Sequence, residues 1–341
     1  MTGFTDGRGG AFVISLDFEL YWGLRDHVEL SDYAANLRGV WDVVPALLST
    51  FRSRAVHATW ATVGFLLFEG FDELHATMPA VLPEYRAHAL CPYRYAKAHD
   101  GSSERVHFAP ALVKQILETE GQELGTHTLS HFYCLEEPQS LAAFSADLEI
   151  AIRTARERFD TKITSLVFPR NQCSTAHVAR AAELGITAFR GNPHPWMYGA
   201  RPFAEETAVR RGARLADAYV PISRGLAYDA DRIGMAAPFD VAASRFLRPW
   251  SRATRWAERL RIRRIQKEMR DAARSGRIYH LWWHPHNFGV NLQENLAVLS
   301  AVLDTYRELH DAHGMQSMNM RDVAAWRSSA SGTTWSAKTG S

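Results

Sequence analysis

Short apolar runs alternate with segments of helical periodicity along most of this chain. The runs span Ala11 to Asp17, Val56 to Gly64, Glu123 to His127, Ile163 to Pro169, Thr187 to Arg190 and Ile278 to His284. Between the first two, Leu37, Trp41, Val44, Leu48 and Phe51 recur at helical spacing over 36–54. Further helices are predicted over 109–120, 138–159, 174–184 and 291–313. Pro110 and Pro138 suit first turns, Gly121, Gly185 and Gly314 suit ends, and Asn291 with Glu294 has the spacing of a capping pair. Strands that alternate with helices run parallel, because each crossover returns the chain to the same end of the sheet. An open doubly wound sheet and a (β/α) barrel both satisfy this order. The polar residues decide between them. Asp17, His127, Arg170 and His284 stand at the carboxyl ends of different runs, the first and the last included. A barrel brings those ends together on one face, whereas an open sheet holds its first and last strands apart. The predicted fold is therefore α/β, a distorted (β/α) barrel of about seven strands.

Two stretches, near 66–108 and 191–277, break the repeat. They are read as insertions over the C-terminal face of a single domain spanning 1–327, with the polar residues 328–341 as a flexible tail. With 46% of its residues hydrophobic, the chain of 341 residues can bury one large core. No apolar run reaches the roughly 18–20 residues of a membrane span. Met1 to Gly10 is polar and Gly-rich, without the apolar stretch of a secretion signal, so a soluble, cytoplasmic protein is expected. Cys91, Cys134 and Cys173 are odd in number and far apart, which implies buried thiols and no disulfide framework. The net charge of +2 selects no partner by itself.

Charge is unevenly placed, however. Residues 245–274 hold eleven basic and three acidic side chains, a local +8 that leaves −6 for the rest. Trp256, Leu260, Ile265, Met269 and Ala272 recur there at roughly helical spacing, which predicts an amphipathic basic helix. Such a helix either packs on the barrel with a solvated Arg face or forms a rim that attracts an anionic substrate, such as a sugar diphosphate, or a lipid-linked sugar at a membrane surface. No nucleic-acid motif accompanies it, so nucleic acid is not expected. Nothing in the sequence fixes the oligomeric state.

The sharpest chemical signal is His127-Thr-Leu-Ser-His131, which directly follows a strand and Gly125. On a helical turn, positions i and i+4 share a face and can reach one metal ion. Asp17-Phe-Glu19 is the second signal, since residues two apart in an extended chain point the same way. One carboxylate with two histidines makes a three-ligand site with room for water, and the other carboxylate can act as general base. Arg170 ends an apolar strand, where a charge needs a partner; a guanidinium beside Asp17 would orient it and lower its pKa. His284 follows Leu281-Trp-Trp and is placed to protonate a leaving amine. His286 and Asn287 continue the same loop.

Together these motifs resemble the polysaccharide deacetylase family (carbohydrate esterase family 4), which includes chitooligosaccharide and peptidoglycan deacetylases. The resemblance covers residues 11–190 and 278–327. Ser15-Leu-Asp17-Phe-Glu19 looks like the family's first motif, although Phe18 separates two acids that are usually adjacent. His127-Thr-Leu-Ser-His131 looks like its His-[Ser/Thr]-x-x-His motif, Phe168-Pro-Arg170 like its Arg motif and Leu281-Trp-Trp-His284-Pro285 like its last one. The family's Asp-Trp motif has only Trp196 as a loose counterpart.

The resemblance implies a metal-dependent hydrolase of linear amides that removes an N-acyl group, N-acetyl above all, from an amino sugar or glycan precursor. The substrates it suggests are amino sugars, sugar nucleotides, lipid-linked sugars and oligosaccharides. Zn²⁺ or another divalent cation would bind Glu19, His127 and His131, polarise the carbonyl and acidify a water. Asp17 would be the base, with the two carboxylates exchangeable in role. Arg170 would orient Asp17 and His284 would be the acid. A backbone N–H near Phe132 would meet the oxyanion. Tyr21, Trp22, Trp282 and Trp196 are candidates to stack on a sugar, with His286 and Asn287 beside them. A deformylase or amidase acting on a non-sugar, and a non-catalytic sugar-binding barrel, are the alternatives.

Overall fold

A computed structural model describes residues 9–99, 104–223 and 225–330. Its strands are β1 (Ala11–Phe18), β2 (Ala58–Thr62), β3 (Gln122–Thr126), β4 (Ser165–Val167), β5 (Ala188–Arg190), β6 (Phe239–Asp240), β7 (Arg245–Phe246), β8 (Ile278–Trp283) and β9 (Gln316–Met318). All pair in parallel, in the order β6-β5-β4-β3-β2-β1-β8-β7, and β9 adds beside the start of β1.

The order contains its own proof of curvature. The sheet's two edges, β6 and β7, are separated in sequence only by Val241–Ser244. Laid flat, the edges of eight strands would stand roughly 33 Å apart, yet five residue steps from Asp240 to Arg245 span at most about 18 Å. The edges must meet. Val241 and Ala243 donate backbone hydrogen bonds to Phe189 and Gly191 on the β5 side, and Ser244 and Leu247 donate to His280 and Trp282 of β8. Residues 239–247 thus form one bent stave that closes a distorted (β/α) barrel of seven main staves.

Helices Leu30–Arg52, Pro110–Leu117, Leu141–Phe159, Thr175–Glu183, Glu258–Ser275 and Leu292–His313 pack around the sheet. The first shows how: Leu37, Val40, Val44, Leu47, Leu48 and Phe51 form its buried stripe. At roughly 1.5–3 kcal/mol per buried large aliphatic or aromatic side chain, that stripe outweighs the helix's own marginal tendency to form.

Several boundaries differ from expectation. Part of the stretch 191–277 belongs to the barrel: 239–247 closes it, and helix Glu258–Ser275 is the crossover into β8. The two-residue strands β6 and β7 are too short to show a period. Helix Leu141–Phe159 begins after Pro138, because the Ser140 side chain accepts the Ala143 N–H and caps it. The Asn291 side chain makes no cap bond; its backbone is left-handed, a conformation asparagine tolerates. Ser328 to Ala330 continue helix Met320–Ala330, so the expected tail lies otherwise outside the described residues. No helix among the described residues is long and apolar enough to cross a membrane.

The basic segment does form an amphipathic helix, with Ile265, Met269 and Ala272 buried beneath it. Much of its charge is spent internally. Arg245 pairs with Glu268 and Asp217, Arg261 with Glu258, Arg264 with Asp217, and Arg270 with Glu308. Arg259, Arg263, Lys267 and Arg274 face outward.

Candidate metal centre and active site

β1 delivers the acidic pair. Ser15 and Asp17 point to the same side, as a period of two requires, and both meet Arg190 inside the barrel. Beyond the strand the chain bends at Leu20 (φ 45°) into a 3₁₀ turn, Leu20–Gly23, which folds back beneath Glu19. A Cβ on Gly23 would stand 2.1 Å from the Glu19 carboxyl carbon, so only glycine leaves that carboxylate its place.

β3 delivers the histidines, but not on a helical turn. Residues 127–131 bend irregularly, with left-handed backbone at Thr128 (φ 63°) and His131 (φ 64°). A β-branched residue at such a φ is strained, and local hydrogen bonds compensate. Buried Asp147 accepts the Leu129 N–H at 2.7 Å and the Ser130 hydroxyl, and Tyr93 donates to it at 2.8 Å. The Thr128 hydroxyl accepts the Phe132 N–H at 2.7 Å. This bend turns both imidazoles toward Glu19.

Glu19 Oε2 lies 3.5 Å from His127 Nε2 and 3.1 Å from His131 Nε2, and all three side chains are buried. Four donors held tetrahedrally about 2.05 Å from a zinc ion stand roughly 3.3 Å apart, and the observed separations straddle that value. The protonation pattern agrees. His127 Nδ1 donates to the Val167 carbonyl at 2.7 Å, which leaves a lone pair on Nε2 facing the carboxylate. Burial pushes the His131 pKa down to about 4, so its ring is neutral at neutral pH. Burial alone would raise the Glu19 pKa, but its surroundings, the neighbouring His284 foremost, more than offset it and hold the group well below the usual carboxylate range. The His127 Nε2 lone pair and the Glu19 carboxylate thus face each other in a buried site, where they repel unless a cation lies between them. The donor set therefore fits a divalent metal of the zinc type.

Asp17 sits beside this triad. Burial opposes its ionisation, but the Arg190 guanidinium, bonded to both carboxylate oxygens at 2.6 and 2.7 Å, and His127 keep its pKa below the ordinary value. His284 Nε2 lies 3.8 Å from Asp17 Oδ2 and 3.6 Å from Glu19 Oε1. The Asn287 amide, 3.3 Å from His284 Nδ1, orients the ring so that Nε2 faces the acids. His286 stacks on His284 with centroids 5.0 Å apart. A cavity of about 420 Å³ opens over these groups, and Trp282, His286 and Asn287 line it with them.

Five expected residue roles need correction. The arginine at Asp17 is Arg190, not Arg170. Left-handed backbone at both Arg170 and Asn171 turns Arg170 toward Asp26, Glu136 and the faces of Tyr133 and Phe203, while it still borders the cavity. Trp22 is fully buried among Phe65, Phe71, Tyr95 and His107, its indole N–H donating to the His107 carbonyl. Tyr21 is buried with its hydroxyl on the Val28 carbonyl. Neither can stack on a sugar, because Tyr95 and His107 pack against both. Phe132 is also fully buried and its N–H is already engaged, so it offers no oxyanion donor. Trp196 is 60% exposed and lies over Arg210, not in the cavity.

Sequence reasoning missed Arg190, Asp147 and Asp26. Arg190 carried the same signal as Arg170, a charge ending an apolar run. Asp147 was hidden inside a helix.

No protein-family model and no curated protein matches the sequence. Solved structures do. A Mycobacterium smegmatis protein with a polysaccharide-deacetylase assignment aligns at TM-score 0.56 and 15% identity, over 100% of this chain and 97% of its own. One from Pseudomonas aeruginosa PAO1 with the same assignment aligns at 0.55 and 12%, over 95% and 92%. The Puue allantoinase aligns at 0.53 and 10%, over 98% and 96%. At such identities the likeness is one of fold, and that fold carries more than one amide chemistry.

Proposed function

We propose that this chain is a metal-dependent hydrolase that removes an N-acyl group, most simply acetyl, from an amino sugar or glycan precursor. The observation that carries the reading is the buried Glu19, His127 and His131 cluster, its ligand atoms all within 4.8 Å of one another, open to a cavity and flanked by Asp17 and His284. A divalent cation held by the triad supplies Lewis acidity toward the acyl carbonyl. Asp17, oriented by Arg190, takes a proton from the attacking water. The water oxygen bonds to the acyl carbon as the C–N bond breaks, and the doubly protonated His284 ring gives its Nε2 proton to the departing nitrogen, leaving a neutral imidazole. Acid and amine leave. Trp282 lines the cavity beside these groups, and Asn287 orients the His284 ring. The deacetylase assignments of the two bacterial neighbours support the acyl-sugar reading. The allantoinase likeness supports the second one, an amidase acting on a non-sugar amide.

The test pairs metal analysis of the purified protein with acetate and formate release from N-acylated amino-sugar nucleotides, lipid-linked sugars, oligosaccharides and ureide amides. Acid release from a sugar, lost on chelation and restored by Zn²⁺, is expected. Turnover of ureides alone would favour the amidase, and a metal-free protein inert to the whole panel would leave a sugar-binding barrel.

A further inference from the structure

A second cavity, also of about 420 Å³, opens beside the first, and the two share Arg170, Asn171, Phe246, Trp282 and His284 as a common wall. None of the residues assigned to the reaction above explains it. Its far wall carries aromatic surface from Tyr198 and Phe203 and several guanidiniums.

Most of those cations are neutralised. Arg170 pairs with Asp26, Arg214 with Glu206, and Arg245 with Glu268. Arg201 reaches Glu205 at 4.0 Å, and Arg211, exposed on the rim, donates to the Glu206 carbonyl. Arg248 is different. It lines the cavity half-buried, and it makes no ion pair or side-chain hydrogen bond with any described residue. Burial lowers its pKa, and the guanidiniums of Arg261 and Arg214 add to that effect while Tyr219 and Tyr198 oppose it. A cation left without a carboxylate in a recess shared with other cations is costly unless an anion arrives. Placed against aromatic walls, next to the reacting groups, it forms a recognition pocket for part of a substrate.

We propose that this cavity receives an anionic group, a carboxylate or a phosphate, carried by the substrate beside its acylated nitrogen, with Arg248 as the counter-ion. The inference deepens the acyl-hydrolase reading and rests on it for the word substrate; the anion site itself does not depend on turnover. It also divides the labour within the basic segment 245–274. Arg248 faces the ligand, whereas Arg245, Arg261 and Arg264 hold the wall together.

Isothermal titration with three sugars that cannot be deacylated tests it: glucose 1-phosphate, glucuronate and neutral glucose. The proteins are the wild type, Arg248→Gln, Arg248→Lys and Glu19→Gln. At least one anionic sugar is expected to bind the wild type and Glu19→Gln alike, with affinity about 10- to 100-fold weaker in Arg248→Gln and largely kept in Arg248→Lys. Glucose should bind weakly, without regard to Arg248. Whichever anion binds tighter identifies the headgroup. Anionic sugars that bind no tighter than glucose would overturn the proposal. So would binding lost in Glu19→Gln but kept in Arg248→Gln, because the anion would then sit at the metal centre. An equal loss for glucose in Arg248→Gln would reduce Arg248 to a wall residue and overturn it too. Because the readout is binding of inert sugars, absence of acid release in the activity panel would refute the catalytic reading without touching this one.

Discussion

Replacing Gly23 with alanine adds one methyl group, and the structure says where that methyl goes. Its carbon would stand 2.1 Å from the Glu19 carboxyl carbon and 2.3 and 2.4 Å from the two oxygens. Carbon atoms in contact sit near 3.5 Å, so the carboxylate must retreat by roughly 1.4 Å. Metal–ligand distances tolerate only about 0.2 Å, so Glu19 ceases to be a ligand while both histidines stay in place. The backbone itself accepts alanine, because Gly23 lies in a helical turn without positive φ. In such a setting Gly→Ala alone tends to stabilise, by about 0.4–1 kcal/mol. The expected result is therefore divided: metal content falls from about one equivalent to a small fraction, and turnover falls with it, while the denaturant midpoint of the metal-free protein changes by no more than about 1 kcal/mol equivalent. Elemental analysis after dialysis against a weak chelator measures the first, and urea unfolding in strong chelator the second. A Gly23→Ala protein that retains stoichiometric metal with unchanged affinity would refute the assignment of Glu19 as a ligand.

Two further predictions concern the carboxylates and their arginine. Asp17→Asn should keep the metal and lose about 10²–10⁴-fold in kcat, whereas Glu19→Gln should lose the metal; the reverse pattern in elemental analysis would exchange their roles. Arg190→Gln leaves a buried carboxylate without its partner, an expected loss of about 3–5 kcal/mol in urea unfolding. Because Arg190 helps keep the Asp17 pKa below its ordinary value of 3.8, that stabilisation is present above pH 3.8 and is lost as pH falls through the lower folded value. The variant's deficit should therefore shrink in acid, and the acidic limb of kcat/KM should move to higher pH. An unmoved limb in Arg190→Gln and Arg190→Lys alike would show that Asp17 is not the titrating base.

The parts of this molecule that were legible in the sequence are those that repeat or that end an element. Long helices announce themselves through stripes such as Leu37, Val44, Leu48 and Phe51, and β1, β3 and β8 through apolar runs that stop on Asp17, His127 and His284. The cluster of Glu19, His127 and His131 was legible because its members flank two such strands. What was not legible depends on backbone conformation or on distant packing. Left-handed geometry at Arg170 and Asn171 cannot be read from their identities, so two arginines that end neighbouring strands were indistinguishable. Trp22 looked like a sugar platform because the residues that pack against it, Tyr95 and His107 among them, lie far along the chain. The His127–His131 spacing was read as a helical turn, yet Asp147 holds it as a bend, which the sequence distance of 18 residues or so conceals.

The same closure that was hidden in the sequence is what makes the acid pair work. Arg190 ends β5 and Asp17 lies near the end of β1, with β4, β3 and β2 between them. In a flat sheet four strand spacings would separate them by roughly 19 Å, beyond the combined reach of an arginine and an aspartate. They touch at 2.6 Å because residues 239–247 pull β5 and β8 together, and β8 lies next to β1. His280 of β8 stands in the same lumen, bonded to Ser15 at 2.8 Å, and Ser15 also accepts from Arg190. The orientation of Asp17 is thus a property of the closed barrel rather than of any local motif. The geometry of the candidate site and the curvature of the sheet rise or fall together.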